Sequence, residues 1–322
     1  MLNAFTKLTK KWTSTITTPV VSDSKEVLLI ENGLPILAGD QALALPAVVE
    51  GRIAYFGFGA NTIECGKSCV SLTDGAEKSL NSYILFEGQS LNKKISNVPA
   101  LIDLSDMRDY EEFLNAVKPL SKGNKNREAR KAVEQGFYCK PFTLKNFIPD
   151  YVEINHSKDN RSGGQISGWY LKTIDDFGGA PDRRYPLIMP TCSYHWRIMF
   201  GVFKRVEGYK QGDLCTDEKL VGYISLVRYG TVVLYSQILG HGDELKNNIM
   251  VLLHFEVMRW LLDPCNVNSK GLRYVMYGAW ESGGQALQYW KKRVGFLPYF
   301  MIAGRSGVAA HSLDEHGVEF HI

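Results

Sequence analysis

Near its C-terminal end the chain carries a helix that stops sharply and hands over to a strand, and few folds end this way. The segment runs Ala286-Leu287-Gln288-Tyr289-Trp290-Lys291-Lys292-Arg293-Val294-Gly295-Phe296-Leu297-Pro298. Its approach is polar and glycine-rich, Glu281-Ser282-Gly283-Gly284-Gln285. Leu287, Trp290 and Val294 recur at helical spacing and mark one apolar face. Gly295 supplies the left-handed residue that closes the helix.

The elements before it alternate strand and helix. Trp196 to Phe203, Leu220 to Arg228 and Thr231 to Leu239 are rich in β-branched and aromatic residues, with Tyr229-Gly230 as a turn between the last two. A long helix over Leu245 to Leu262 and a strand over Leu272 to Tyr277 lead into the closing helix. Further upstream the pattern is strand-rich, with short runs at Val27 to Ile30, Leu34 to Leu37, Ile53 to Phe58 and Tyr83 to Phe86. Asn32-Gly33 between the first two reads as a hairpin turn. Two helices follow, around Asp109 to Val117 and Asn126 to Gln135, and the cluster Asp103, Asp106, Arg108, Asp109 reads as helix capping. The second of these helices is basic, with five cations between Lys122 and Lys131.

Bulk properties bound the class. A length of 322 residues with 45% hydrophobic content holds two ordinary domains, and 22% charge with 11% aromatics excludes disorder. A formal net charge of +3 is too small to be a nucleic-acid signature by itself. The six cysteines form no Cys-x-x-Cys pair, and Cys65 and Cys69 have no second pair or nearby histidine in the sequence, so no zinc site is expected. Residues 1–23 read as a flexible lead without the apolar core of a secretory signal. The most apolar run, Ile249 to Leu262, carries His254, Glu256 and Arg259 and is too short to span a bilayer. The expectation is a soluble cytoplasmic protein with no membrane insertion.

Taken together, the Trp290-Lys291 pair followed by Gly295, the strand and helix order, and the Ser121-Lys122 start of the basic helix resemble the GNAT acyltransferase superfamily, in particular its FemAB-like branch. The resemblance covers residues 120 to 300. It implies an α+β fold, a GNAT-like mixed sheet flanked by helices, with two tandem GNAT-like domains: a degenerate one at 24–140 and a catalytic one at 141–322. One departure stands out. Acetyl-CoA-dependent members place a tyrosine four residues after the helix alanine, where this chain has Trp290, and Tyr289 points about 100° away.

The resemblance also implies an activity: transfer of an acyl or aminoacyl group from an aminoacyl-tRNA or acyl-CoA type of donor, as co-substrate, to a small-molecule or polymer-linked amine, with no metal or further cofactor required. It puts Lys291 beside the transfer centre, where a cation would stabilise the oxyanion, with Tyr289 as a second candidate. The acceptor amine must lose a proton, so a base is needed, and His241 and Glu281 are the first candidates. His156 and His195 come next. Anion contacts are expected from Lys125, Arg127 and Arg130 on the basic helix and from Arg161, Arg183 and Arg184 in two polar loops. Trp280 and Trp290 offer stacking faces. Gly240 and Gly242 occupy the place of a donor-binding loop, but Asp243 and Glu244 beside them would repel a pyrophosphate, so acetyl-CoA is expected to be a poor donor. Two other readings remain open: a nucleic-acid-modifying transferase acting on a modified DNA base, with tRNA or DNA as partner, and a non-catalytic binding module that kept the fold.

Overall fold

A computed structural model describes residues 27–31, 34–38, 52–56, 78–86, 97–161 and 164–303, with isolated positions at 49, 69 and 75. The expected flexible lead and the tip of the expected hairpin, Asn32-Gly33, lie outside the described residues. The strands flanking that tip are β1 (Val27–Glu31) and β2 (Leu34–Ala38), which pair antiparallel with Glu31 opposite Leu34. That is the register a two-residue turn produces.

In chain order there follow β3 (Ile53–Phe56), β4 (Ile84–Phe86), β5 (Pro99–Asp103), α1 (Tyr110–Ser121), α2 (Asn124–Glu134), β6 (Phe137–Phe142) and α3 (Ile148–His156). Then come β7 (His195–Arg205), β8 (Glu218–Tyr229), β9 (Val232–Gly240), α4 (Ile249–Leu261), β10 (Tyr274–Ala279), α5 (Gly284–Arg293), β11 (Leu297–Pro298) and β12 (Phe300–Ala303). Seven of the strands form one mixed sheet in the order β11-β5-β10-β9-β8-β7-β6. All neighbours in it are antiparallel except β9 and β10.

Period-two alternation sends successive side chains of each strand to opposite faces, and each face carries its own core. Ala100 and Ile102 of β5, with Trp196, Ile198, Phe200 and Val202 of β7, point into a core shared with α1, α2 and α4. Leu101 between them, with Tyr229, Val232 and Tyr274, points into an opposite core shared with β3, β4 and β12, which form a small parallel sheet of their own. α3 packs on that same opposite face against Phe203, Leu220 and Tyr223. The result is a mixed α+β protein built on a large sheet flanked by helices.

Local signals behave as their chemistry dictates. Asp109 caps α1 by accepting from the Glu112 amide at 3.0 Å, and Arg108 pairs with Glu112. Gly295 has φ +106°, and a Cβ there would stand 3.1 Å from Val117 of α1, so this position needs glycine twice over. The helix expected from Leu245 is interrupted, because Leu245–Asn247 is a single 3-10 turn and Asn248 takes φ 60° before α4 begins. The boundary expected between residues 140 and 141 falls inside β6, and both the sheet and its main core draw on residues from either side of it. No described helix is long and apolar enough to cross a membrane.

Candidate active site

β9 and β10 run parallel, but they pair only from Val232 to Leu234 against Tyr274 to Met276. Beyond that point β9 stays with β8 as far as Gly240, while β10 stays with β5, where Ala279 faces Pro99. The two strands therefore part at their C-terminal halves. Tyr235 and Tyr277, the first residues past the split, stand with ring centroids 5.9 Å apart. A cleft of about 740 Å³ opens there between β9, α5, the start of α4 and the loop after α3. That volume suits a small-molecule or cofactor-sized ligand.

The composition of the wall is the informative part. Lys125, Lys158 and Arg161 line it, and among the described residues no carboxylate does. Arg161 donates to the carbonyls of Gly240 at 2.7 Å and Ile154 at 2.8 Å, and its buried Nε has no hydrogen-bond partner. Lys125 is only 8% exposed and is tied to Glu128. The apolar side is supplied by Ile238, Met250, Val251, Leu287 and Trp290. Past Leu234 the β9 edge has no neighbouring strand among the described residues, so its backbone groups face the cleft.

At the floor, Tyr235 meets His254 of α4. His254 Nε2 lies 2.9 Å from the Val294 carbonyl, which can only accept, so Nε2 carries the proton and Nδ1 accepts the Tyr235 hydroxyl at 2.9 Å. Burial pulls the His254 pKa down to about 4, which keeps the ring neutral. The phenolic oxygen of Tyr235 thus has its proton committed inward and its lone pairs left over.

Lys291 is fully buried rather than a solvated helix end. Its Nζ donates to Ala279 O at 2.5 Å and to Ser282 Oγ at 3.1 Å, with Ser282 O at 3.4 Å, so its three protons are directed at the end of β10. Burial lowers its pKa to about 8, while Glu281 acts in the opposite direction. Lys291 does not itself line the cleft; Ser282 does. The direct oxyanion contact expected of Lys291 is therefore not made from this position, and the ammonium meets the cleft through two of its lining residues, the Ser282 hydroxyl and the Tyr277 ring at 5.1 Å.

The other expected residues divide clearly. Trp290 and Gly240 line the cleft together with Lys125 and Arg161. His241 is turned toward Glu153, with Nε2 at 3.3 Å from its carboxylate, and Glu281 is exposed in the turn before α5. Tyr289 is 65% exposed, under Arg293. Arg127 and Arg130 are exposed on α2, and Arg127 bonds to Asn124. His156 is exposed at the end of α3. Arg183 lies over the Tyr185 ring and Arg184 donates to Cys215 O at 3.1 Å, both on the surface. Trp280 packs beside the main core. His195 is buried at the start of β7, opposite Tyr229, at the far end of the sheet.

The glycines at the end of β9 serve packing. A Cβ at Gly240 would lie 2.6 Å from Met250 Sδ, and one at Gly242 would lie 2.8 Å from Ser157 O. The amides that would cradle a phosphate are already used: His241 N bonds Val221 O, Gly242 N bonds Ser157 Oγ, and Glu244 N bonds His241 O. Tyr235, Gln237, His254 and Tyr277 escape a reading of the sequence because nothing local marks where two parallel strands separate.

No family model matches the chain, and no curated protein matches it. Among solved structures, FemX is similar with a TM-score of 0.44 at 11% identity, over 88% of this chain and 86% of FemX. The C-terminal domain of a putative lysylphosphatidylglycerol synthetase from Agrobacterium fabrum is similar with a TM-score of 0.33 at 12% identity, over 63% of this chain and 58% of that one.

Proposed function

We propose that the chain is an acyl- or aminoacyltransferase of GNAT, FemAB-like type, which takes an activated, phosphate-bearing acyl donor in the cleft where β9 and β10 part and passes the acyl group to an amine. The observation that carries this reading is the wall of that cleft, which among the described residues carries three cations, one of them, Lys125, paired with Glu128, and no carboxylate on a surface of mixed polar and apolar side chains. Such a lining favours an anionic ligand. It also leaves out the carboxylate and thiol nucleophiles of a covalent mechanism.

In a direct displacement the amine nitrogen attacks the donor carbonyl carbon, the C–N bond forms, and the bond to the leaving oxygen or sulfur breaks. The proton shed by nitrogen ends on the leaving atom. The Ser282 hydroxyl accepts from the buried Lys291 and spends its proton on Ala279 O at 2.8 Å, so the donors offered to developing charge are the backbone N–H groups along the unpaired edge of β9, which suit an extended, amide-bearing substrate. An aminoacyl-tRNA type of donor is favoured over acyl-CoA, because the amides after β9 that would hold a pyrophosphate are spent within the protein.

The test is a donor screen: purified protein with aminoacyl-tRNAs and acyl-CoAs against a mixture of amines, read by mass spectrometry for new amides. A new amide formed from an aminoacyl-tRNA is expected. Absence of any amide, together with no donor binding, would replace this reading by that of a binding module. Product only on a nucleobase would replace it by that of a DNA- or RNA-modifying enzyme.

A further inference from the structure

At the end of the sheet farthest from the cleft, Cys69, Cys192 and His195 come together in the interior. Each is 4% exposed or less. One sulfur or ring nitrogen from each lies within 4.8 Å of the other two. Cys192 Sγ and His195 Nδ1 are 3.7 Å apart. A tetrahedral zinc ion, with bonds of about 2.3 Å to sulfur and about 2.0 Å to nitrogen, sets its sulfur and nitrogen ligands about 3.6 Å from one another. The Cys192–His195 pair thus has the spacing of two zinc ligands, and Cys69 stands within 4.8 Å of both.

Nothing local marks this convergence, since Cys69 is far along the chain from the Cys-x-x-His at 192–195. Folding brings them together where β7 begins and Tyr229 of β8 stands opposite His195. Arg228 is fully buried at this end, its three donor bonds go to the carbonyls of Gly230, Asn268 and Lys270, and it interacts electrostatically with Cys192. The thiolate is the form that ligates a metal, so binding here would release the thiol protons.

We propose that Cys69, Cys192 and His195 bind one zinc ion as a structural site. Two thiolates and an imidazole select zinc among the common divalent ions, and full burial marks a structural rather than a catalytic centre. The described residues supply three ligands of a tetrahedral ion, and the fourth position takes water or a further protein donor. Bound there, the ion fastens the segment that carries Cys69 to the start of β7. His195, expected from the sequence as a base, becomes a ligand instead.

The experiment uses the full chain, expressed without a polyhistidine tag. Elemental analysis should find about one zinc per chain. Cys192→Ala and His195→Ala should each lose most of it, while Cys265→Ala, at an exposed cysteine, should keep it. Exchange with cobalt(II) should give a thiolate-to-cobalt charge-transfer band, weakened in Cys192→Ala. Should those variants fail to fold, wild-type protein still decides: chelation should lower Tm by roughly 5 °C or more, and added zinc but not magnesium should restore it. Wild-type protein that is free of zinc and gains no stability from it, zinc content unchanged in both ligand variants, or a disulfide between Cys69 and Cys192 in place of metal would each overturn the proposal.

Discussion

Arg161 and Arg228 are both drawn off the surface, near opposite ends of one sheet, and the protein treats them differently. Arg228 is wholly enclosed and spends its donors on three backbone carbonyls. Arg161 is half-buried, spends part of its fork on Gly240 O and Ile154 O, and keeps a buried Nε without a partner on the wall of a cleft. Each guanidinium makes three hydrogen bonds within the protein, but Arg228 engages all three of its nitrogens whereas Arg161 leaves Nε without a partner beside the cleft. Lys158 and the lone pairs of Tyr235 add polar capacity at the cleft end, where Lys125 is paired with Glu128, whereas the far end brings its polar groups together into a closed cluster.

The sharpest way to break this contrast is to fill the cleft without touching the core. Ser236 is exposed on β9 inside it. Ser236→Trp should cut turnover by ~10³-fold or more through lost positioning while leaving Tm within a few degrees; near-normal turnover in a steady-state assay would put the chemistry elsewhere.

Next in size is Lys291→Met, which should slow the rate by ~10²-fold with donor affinity nearly unchanged, whereas Ser282→Ala should cost about tenfold. With the Lys291 pKa lowered to about 8, the wild-type rate should fall as pH rises through that value, and the Met variant should lack that step in its pH–rate profile. The stability effect has the opposite sense. The folded state loses this proton near pH 8 and the unfolded state near 10.5, so between those values the unfolded chain binds more protons and this group's contribution to stability improves as pH rises.

The two arginines themselves give the third comparison. Arg161→Met should weaken donor binding roughly tenfold or more by equilibrium titration, the value of a charge-assisted hydrogen bond, with a modest change in Tm. Arg228→Met should lower Tm sharply, because the carbonyls of Gly230, Asn268 and Lys270 lose a donor, and folded protein should bind donor normally. Reversal of the two outcomes would undo the assignment. The smallest effects are expected at exposed positions away from the cleft: Tyr289→Phe, Arg127→Ala and Arg130→Ala should each stay within about twofold of wild type in both turnover and affinity.

Those last residues mark how far the sequence could be read. Periodicity and caps were legible: Asp109 at α1, the strands β7 to β10 and the stop at Gly295 arise from local chemistry, and the structure reproduces them. Position across the sheet was not. Arg130 and Lys125 share one basic helix, yet only Lys125 faces the cleft, because helix rotation is fixed by packing on α4 rather than by charge. His195 and His241 looked alike as strand-end histidines, and long-range register sends one to a buried cysteine pair and the other toward Glu153. Tyr235 and His254 carry no local signal at all, since their meeting depends on two strands separating after Leu234.

The most direct measurement is to map where a donor sits. A photoreactive aminoacyl-RNA minihelix and a photoreactive acyl-CoA would each be crosslinked to the wild-type chain and the adducts located by peptide mass spectrometry. Adducts of the minihelix should fall on Ser236 to Leu239, Tyr277 and the Ala286 to Trp290 stretch, be lost in Ser236→Trp, and fade as salt rises. Adducts scattered over the exposed face of α2, or confined to the end of the sheet that holds His195, would contradict the assignment of the parted strands as the donor site.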